Sequence, residues 1–189
     1  MMLARQDLLT AWRRKRIRFD PDISPEQINL SSIDLRLGYI FTRQKAQSSV
    51  AIRPAQDFDP SGLVVTETLN GNQDILRLAP KEFVLAQTLE KITPPATLAA
   101  HVHGRSSLAR SGLAIHATAP HIHPGFVGQI TLELFNHGEW ELQFFPGRDA
   151  ICHVIFWEVK TPPLKKAIEI LSTYSGQRTP YPPRRRRNR

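Results

Sequence analysis

The sequence predicts an all-β fold, either a sandwich or a distorted barrel of jelly-roll type, because three features agree. From Ser32 onward the chain consists of short alternating or apolar runs, which are typical of strands. Proline and glycine pairs separate these runs at Pro94-Pro95, Pro124-Gly125 and Pro146-Gly147. Within this region only Ser107 to Gly112 favours a helical turn.

A short helix is predicted before the strands and another after them. Apolar residues recur at near-helical spacing, so we expect a helix from Ala4 to Arg18 that Pro21 stops. The apolar positions are Leu8, Leu9, Trp12 and Ile17. Pro162 and Pro163 end the β region, and a short helix is predicted from Leu164 to Leu171.

Seven strands follow from the period-two patterns and the apolar runs. Their sequences are SIDLRL (32–37), GLVVTETL (62–69), FVLAQTLEKI (83–92), LAAHVHG (98–104), GQITLELF (128–135), WELQFF (140–145) and AICHVIFWEV (150–159). No internal repeat interrupts this series. The 189 residues fit one domain, which we place at residues 1–180.

The net charge of +8 comes from the two ends of the chain. Five cations lie near the N-terminus and five in a basic tail, residues 181–189, which we expect to be disordered: Arg13, Arg14, Lys15, Arg16, Arg18, Arg184, Arg185, Arg186, Arg187 and Arg189. No aromatic residues lie among the terminal arginines to stack on bases. A solvated tail is therefore favoured over nucleic-acid binding.

The location of the chain is predicted from what its sequence lacks. No apolar run approaches the roughly 18 residues needed to span a bilayer. The N-terminus has no signal-peptide pattern, which argues against secretion. The single cysteine, Cys152, fits a reducing compartment and lies in an apolar strand, where it is expected to pack in the core. We therefore expect a cytoplasmic protein.

The residues that carry chemistry lie between Gly104 and Asn136. A polar segment, here named the phosphate cassette, comprises Gly104, Arg105, Ser106, Ser107 and Arg110. Arginine offers a fixed fork of donors to phosphate oxygens, serine adds hydroxyls, and glycine lets the backbone approach closely. Glu133 follows in ITLELF, where burial would suit a general base, although strand alternation favours an exposed carboxylate.

Several motifs resemble those of the dCTP deaminase family, a member of the trimeric dUTPase-like superfamily. The central ones are GRSSLAR (104–110), the TAxxIxPGFxG pattern (118–128) and ITLELFN (130–136). INLSSIDLRLG (28–38) resembles the N-terminal strand motif of the family, and TYSGQRTP (173–180) resembles its C-terminal segment. The motifs occur in the order of the family and cover nearly the whole chain.

The resemblance implies a cytoplasmic, dUTPase-like homotrimer that deaminates dCTP to dUTP and ammonia, with active sites shared between subunits. It assigns Glu133 as base and proton shuttle, and it places Ser106, Arg110 and the carbonyl of Ala119 around the water and the amine. Implied nucleotide contacts are Arg105, Ser106, Ser107, Leu108, Ala109, Arg110, His123, Thr131, Leu132, Glu133, Tyr174 and Gln177. The alternative for the serines is a capped helical turn.

Cofactor and inhibitor expectations follow from the same resemblance. Mg²⁺ is expected to arrive with the nucleotide triphosphate and to keep much of its water shell. Zinc deaminases hold their metal with a His and two Cys, a set that one cysteine cannot supply. We therefore expect no protein-bound zinc. Inhibition by dTTP is left open.

Three positions depart from the family pattern. His123 stands where the family has an acid near the sugar, His103 replaces an Asp, and Thr173 replaces a Lys. Related dUTPases activate water with an Asp at the position of His123, and bifunctional members keep both carboxylates. The sequence therefore predicts deamination alone. The alternatives are a weak relative that binds nucleotides as a sensor or regulator, and a deaminase with an altered cytosine-nucleotide preference.

A competing interpretation starts from the histidines. His101-x-His103 and His121-x-His123 each place two imidazoles on one face of a strand, a spacing suited to a metal. Together with His153 they resemble a cupin metal site. The glutamate that cupins carry after the first pair is absent, because GRSSLAR occupies its place. We expect no metal site here.

Overall fold

The part of the chain that the structure describes contains twelve strands, three α-helices and two short 3-10 helices, Pro25–Gln27 and Ser61–Leu63. The structure is a computed structural model, and it describes residues 1–46, 61–71, 74–171, 176 and 179–180. The helices are α1 (Arg5–Arg13), α2 (Ser106–Ala109) and α3 (Lys165–Leu171). The strands are β1 (Arg18–Asp20), β2 (Ile33–Arg36), β3 (Ile40–Gln44), β4 (Val64–Thr68), β5 (Leu76–Leu78), β6 (Phe83–Thr93), β7 (Leu98–Gly104), β8 (Leu113–Ala114), β9 (His121–Ile122), β10 (Gly128–Asn136), β11 (Leu142–Phe144) and β12 (Ala150–Glu158).

Two antiparallel sheets contain most of these strands, so the all-β prediction is confirmed. The larger sheet has the order β4-β3-β6-β10-β8, and β1 pairs with the end of β6. The smaller sheet has the order β2-β12-β7-β9, and β5 pairs with β11 in a separate ribbon. Each of the seven predicted strand segments contains a strand.

One hydrophobic core joins α1 to both sheets. Leu8 of α1, Leu132 and Leu134 of β10, Val102 of β7 and Phe156 of β12 all belong to it. β7 and β10 bury every second residue, so their other residues face outward, and β12 does the same after its adjacent buried residues Ile151 and Cys152. This alternation fixes which side chains of β7 and β10 are available for chemistry.

A bulge in β6 lies opposite β10. Three residues, 88–90, stand opposite the single residue Ile130. The Thr88 hydroxyl closes the bulge by donating to the carbonyl of Glu90 at 2.8 Å and accepting the Ile130 N–H at 3.0 Å. The bulge holds Glu90 in the interior without changing which face the residues of β10 occupy.

The N-terminal helix is shorter than the predicted range of Ala4 to Arg18. It ends at Arg13, and Lys15 adopts a left-handed conformation with φ 55°. The N–H groups of Arg16 and Ile17 both donate to the carbonyl of Ala11, at 2.8 and 3.2 Å. Ile17 is fully buried, as its spacing indicated, but it lies in a bend that leads into β1 and not in a helix. The pattern predicted burial correctly and helix length wrongly.

The other two helices lie close to their predicted positions. α2 spans Ser106–Ala109, whereas the predicted turn ran from Ser107 to Gly112. It ends early because the N–H groups of Ser111 and Gly112 donate to carbonyls three residues back, which tightens the chain into a turn. α3 matches the predicted helix to within one residue.

Cys152 packs inside the protein, as predicted. Its side chain is fully buried, and burial raises the pKa of its thiol far above the ordinary value. A nucleophilic role would require the thiolate, so Cys152 is a packing residue. The basic tail, residues 181–189, lies outside the described residues. No helix among those described has the length and apolar character needed to cross a membrane.

Candidate active site

Glu133 lies at the centre of β10, on the outward face. Its neighbours Leu132 and Leu134 are fully buried, whereas Glu133 is half-buried, as are Thr131 and Phe135 on the same face. The expectation of a buried carboxylate is therefore wrong for the single chain, because strand alternation turns Glu133 away from the core.

The segment after β8 orients this carboxylate. The N–H of Ala117 donates to Oε2 of Glu133 at 2.7 Å, and the N–H of Glu133 donates to the carbonyl of Ile115 at 2.9 Å. Within the described residues the carboxylate accepts no further hydrogen bond. One oxygen is thus fixed while the other remains available to a ligand.

A cavity of about 480 Å³ opens beside Glu133. Its lining residues are Phe83, Ala114, His116, Ala117, Glu133, Phe135 and His137. The Phe135 and His137 rings meet edge to face, with centroids 4.4 Å apart. Nδ1 of His116 is buried and has no hydrogen-bond partner in the structure. Aromatic walls, a carboxylate and an unpaired ring nitrogen suit a flat polar ring.

The phosphate cassette presents three free polar side chains. Ser106, Ser107 and Arg110 are exposed, and none of them makes a side-chain hydrogen bond within the described residues. The N-cap position of α2 is Arg105, which caps nothing with its side chain. The alternative of serines that cap a helical turn is therefore not observed. Leu108 packs against the core, and Ala109 is exposed.

Arg105 has a structural anchor as well. Its Nη2 lies 3.3 Å from Oδ2 of Asp34, and its Nη1 donates to the carbonyl of Ala150 at 3.2 Å. The side chain is still 37% exposed, so one edge of the guanidinium can meet a ligand. The ion pair fixes the start of the cassette to β2 and β12.

The cassette and Glu133 do not meet in one chain. No residue of the range 105–110 lines the cavity beside Glu133. Ala119 is exposed, and Leu132 offers only its backbone because its side chain is buried in the core. The predicted residues therefore form two separate groups within one chain.

The C-terminal part of the chain returns to the turn that carries His123. His123 is exposed, and a side chain at Gly125 would lie 2.8 Å from Cδ1 of Ile168 in α3. The N–H of Gly176 donates to the carbonyl of Val127 at 2.7 Å. Tyr174 and Gln177, predicted to contact the nucleotide, lie outside the described residues.

A family model described as dCTP deaminase-like matches residues 2–159. The chain belongs to this dCTP deaminase-like family. A protein of Dictyoglomus thermophilum named "dCTP deaminase, dUMP-forming" is 38% identical over 185 residues, which cover 95% of this chain and 92% of the relative. A "dCTP deaminase" of Haloarcula marismortui is 40% identical over 162 residues, 85% of this chain and 80% of the relative.

A solved structure shows the same fold. The 2′-deoxycytidine 5′-triphosphate deaminase from Agrobacterium tumefaciens superposes with a TM-score of 0.64 at 17% identity. The superposition covers 92% of this chain and 50% of that chain. The chain thus has the fold of a dCTP deaminase and spans about half the length of that solved protein.

Of the residues that line the cavity, only Glu133 was predicted from the sequence, and the larger side chains that were missed include Phe83, His116 and His137. Phe135 could have been predicted to line the same site, because it lies two residues after Glu133 on the same strand and shares its face. The other three come from β6 and from segments beside β8 and β10. Only the pairing of those strands brings them together.

The two histidine pairs lie on β7 and at β9 of the smaller sheet. Across the described ranges no three His, Cys, Asp or Glu side chains are arranged to hold one ion. Partial burial lowers the pKa of His103, and the neighbouring imidazoles of His153 and His101 lower it further. The His103 ring lies on the smaller sheet, and its centroid is 6.0 Å from that of His116, which lines the cavity beside Glu133.

Proposed function

We propose that this chain deaminates dCTP. The observation that carries the proposal is Glu133, a carboxylate with one oxygen fixed by Ala117 and one free, at the edge of an aromatic cavity. The aromatic walls of this cavity suit a flat polar ring such as a pyrimidine. The named relatives are dCTP deaminases, which supports the same substrate.

The reaction exchanges the C4 amine for an oxygen from water. Glu133 takes a proton from the water as it attacks C4, and it passes that proton to the amine, which leaves as ammonia. Ser106, Arg110 and the carbonyl of Ala119 hold the water and the amine. Stabilising the tetrahedral intermediate needs fixed donors and acceptors, which these groups supply.

A second subunit completes each site in this proposal. Ser106, Ser107 and Arg110 make no side-chain hydrogen bond within the described residues and do not line the cavity of Glu133, so the cassette of one chain is expected to serve the cavity of another. A closed ring of three chains makes three equivalent sites. Homotrimer formation is part of the proposal.

The names of the relatives change the expected product. Deamination alone would give dUTP, but the relative from Dictyoglomus thermophilum is named dUMP-forming. We propose that a second water attacks the α-phosphorus of dUTP, releasing pyrophosphate and leaving dUMP. The imidazole of His123 would accept the proton of that water in place of the carboxylate it replaces.

The ligands and location follow from the same proposal. Mg²⁺ accompanies the triphosphate as part of the substrate, and deamination uses no protein-bound zinc, because the only cysteine is buried as a thiol. The protein works in the cytoplasm. Binding of dTTP as an inhibitor would use the same cassette.

The first experiment measures products. Ammonia release is followed with dCTP, dCMP and CTP, and phosphorus NMR distinguishes dUTP from dUMP plus pyrophosphate. We expect ammonia from dCTP in equal amount to dUMP. A protein that binds dCTP without releasing ammonia would be a sensor, and one that releases dUTP would remove the role of His123 as a base.

The second experiment tests the shared site. Glu133→Gln and Arg110→Ala should each be inactive alone. Unfolded together in equal amounts and refolded, they should regain activity in about one quarter of sites, because random mixing pairs an intact Glu133 with an intact Arg110 at that frequency. Activity that stays at background after mixing would place both residues in one chain.

A further inference from the structure

Six of the seven histidines form a connected row at the outer face of the smaller sheet. The members, here named the histidine row, are His101, His103, His116, His121, His123 and His153. In the proposed function His116 lines the cavity beside Glu133, and His123 serves only the hydrolysis of dUTP. The remaining rings call for a separate explanation.

His101 and His121 stand directly opposite each other on β7 and β9. Their ring centroids are 5.3 Å apart. Two imidazoles that bind one ion through nitrogens at about 2.0–2.1 Å place their ring centres about 5 Å apart in tetrahedral geometry. The two strands thus hold this pair at a separation that fits one shared ion.

The ring nitrogens of the pair are available. Within the described part of the chain, neither His101 nor His121 makes a side-chain hydrogen bond. His121 is exposed, so an ion from solvent can reach its ring. A neutral imidazole carries the lone pair that a metal needs.

We propose that His101 and His121 chelate one divalent transition-metal ion, of the class that prefers imidazole, such as Ni²⁺, Cu²⁺ or Zn²⁺. No three side chains among those described are arranged to hold an ion together, so water completes the coordination shell. The ion takes no part in deamination. It ties β9, and the turn that follows it, to β7.

The charged residues beside the row lie at its other end. Asp34 and Arg105 act on His153 and form an ion pair with each other, and Glu133 lines one cavity with His116. The Trp157 ring lies 4.7 Å from His101, so a paramagnetic ion bound there should quench its fluorescence.

The test uses the full chain without a histidine tag and Ni²⁺ as the probe in titration calorimetry. We expect His101→Asn and His121→Asn each to weaken Ni²⁺ binding by at least about tenfold, or about 1.4 kcal/mol. His137→Asn is the matched control, since His137 lies outside the row, and it should bind as the wild type does. Cu²⁺ resonance spectra should show two nitrogen ligands.

Two results would overturn the proposal. One is equal Ni²⁺ affinity in the wild type and both row variants, which would mark nonspecific binding. The other is a His123→Asn variant that loses as much Ni²⁺ affinity as His121→Asn while His101→Asn keeps the wild-type affinity. His121 would then share the ion with His123 and not with His101. Circular dichroism of each variant checks that the fold survives, and Cu²⁺ quenching that disappears in Trp157→Phe gives an independent reading of the position.

Discussion

Glu90 and Glu133 lie on neighbouring, paired strands of one sheet and have opposite surroundings. Glu90 is fully buried, and both its oxygens are engaged. Oε2 accepts the backbone N–H of Arg36 at 2.8 Å, and Oε1 accepts Nε of Arg36 at 2.7 Å and Nε2 of Gln27 at 3.2 Å. Glu133 is half-buried and accepts one hydrogen bond, from Ala117.

The difference separates a carboxylate that holds the fold from one that is available for chemistry. Burying a charge is tolerated only when hydrogen bonds and a partner charge replace the lost water, and Glu90 has both. Glu133 has kept part of its water, so a substrate can displace that water at little cost. The unused capacity of its oxygen distinguishes the candidate base.

The sharpest test of this comparison is Glu133→Gln. A positioned base contributes roughly 10²- to 10⁴-fold to rate, so deamination should fall by at least about a thousandfold. The free energy of unfolding should change by less than about 0.5 kcal/mol, because the amide keeps the shape and the acceptor for Ala117. Steady-state ammonia release and urea unfolding measure the two effects.

Glu158→Gln is the matched control, since Glu158 is an exposed carboxylate at the end of a strand. This substitution should leave the rate of ammonia release and the free energy of unfolding unchanged. A Glu133→Gln variant with more than a tenth of wild-type turnover would remove Glu133 as the base.

Glu90→Gln should show the reverse pattern. Removing one charge of a buried, hydrogen-bonded pair leaves Arg36 uncompensated, and its side chain is only 28% exposed. The free energy of unfolding should fall by about 3 kcal/mol. Turnover per folded molecule should persist, measured after removal of aggregated protein. Unchanged stability would show that the ion pair contributes nothing net, and the contrast with Glu133 would then fail.

Acidification tests a third group of titratable side chains. Burial lowers the pKa values of His103 and His153 below the ordinary value near 6.5. The unfolded chain therefore takes up protons first, and stability should fall as pH drops below about 6.5. Urea unfolding at several pH values checks this prediction. In the His103→Asn variant the free energy of unfolding should depend less on pH. Stability that rises on acidification would contradict these pKa shifts.

The smallest effect expected is that of metal removal. Prolonged chelation, followed by removal of the chelator and addition of Mg²⁺ alone, should restore deamination completely, because Glu133 needs no metal to take up a proton. Recovery that required a transition metal would shift the chemistry away from Glu133. A change in thermal stability alone would be consistent with an ion at His101 and His121.

Local patterns predicted the fold where they were long enough to read. β10 alternates over nine residues, so its position and the outward orientation of Glu133 could be predicted from the sequence. β8 and β9 have two residues each, too few for any period. Ile17 shows a different failure, because burial at helical spacing does not require a helix. His116 and Phe83 reach the cavity through strand pairing, which the sequence does not reveal locally.

The bulge of β6 limits how the length of this chain can vary during evolution. Three residues of β6 face one residue of β10, so β6 has two extra residues in the bulge. Because two is an even number, both strands keep their inward and outward faces on either side of the bulge. Losing one residue from 88–90 would reverse the faces of half of β6 and turn Glu90 toward solvent. Insertions and deletions among descendants of this gene should therefore avoid the bulge or occur there in pairs.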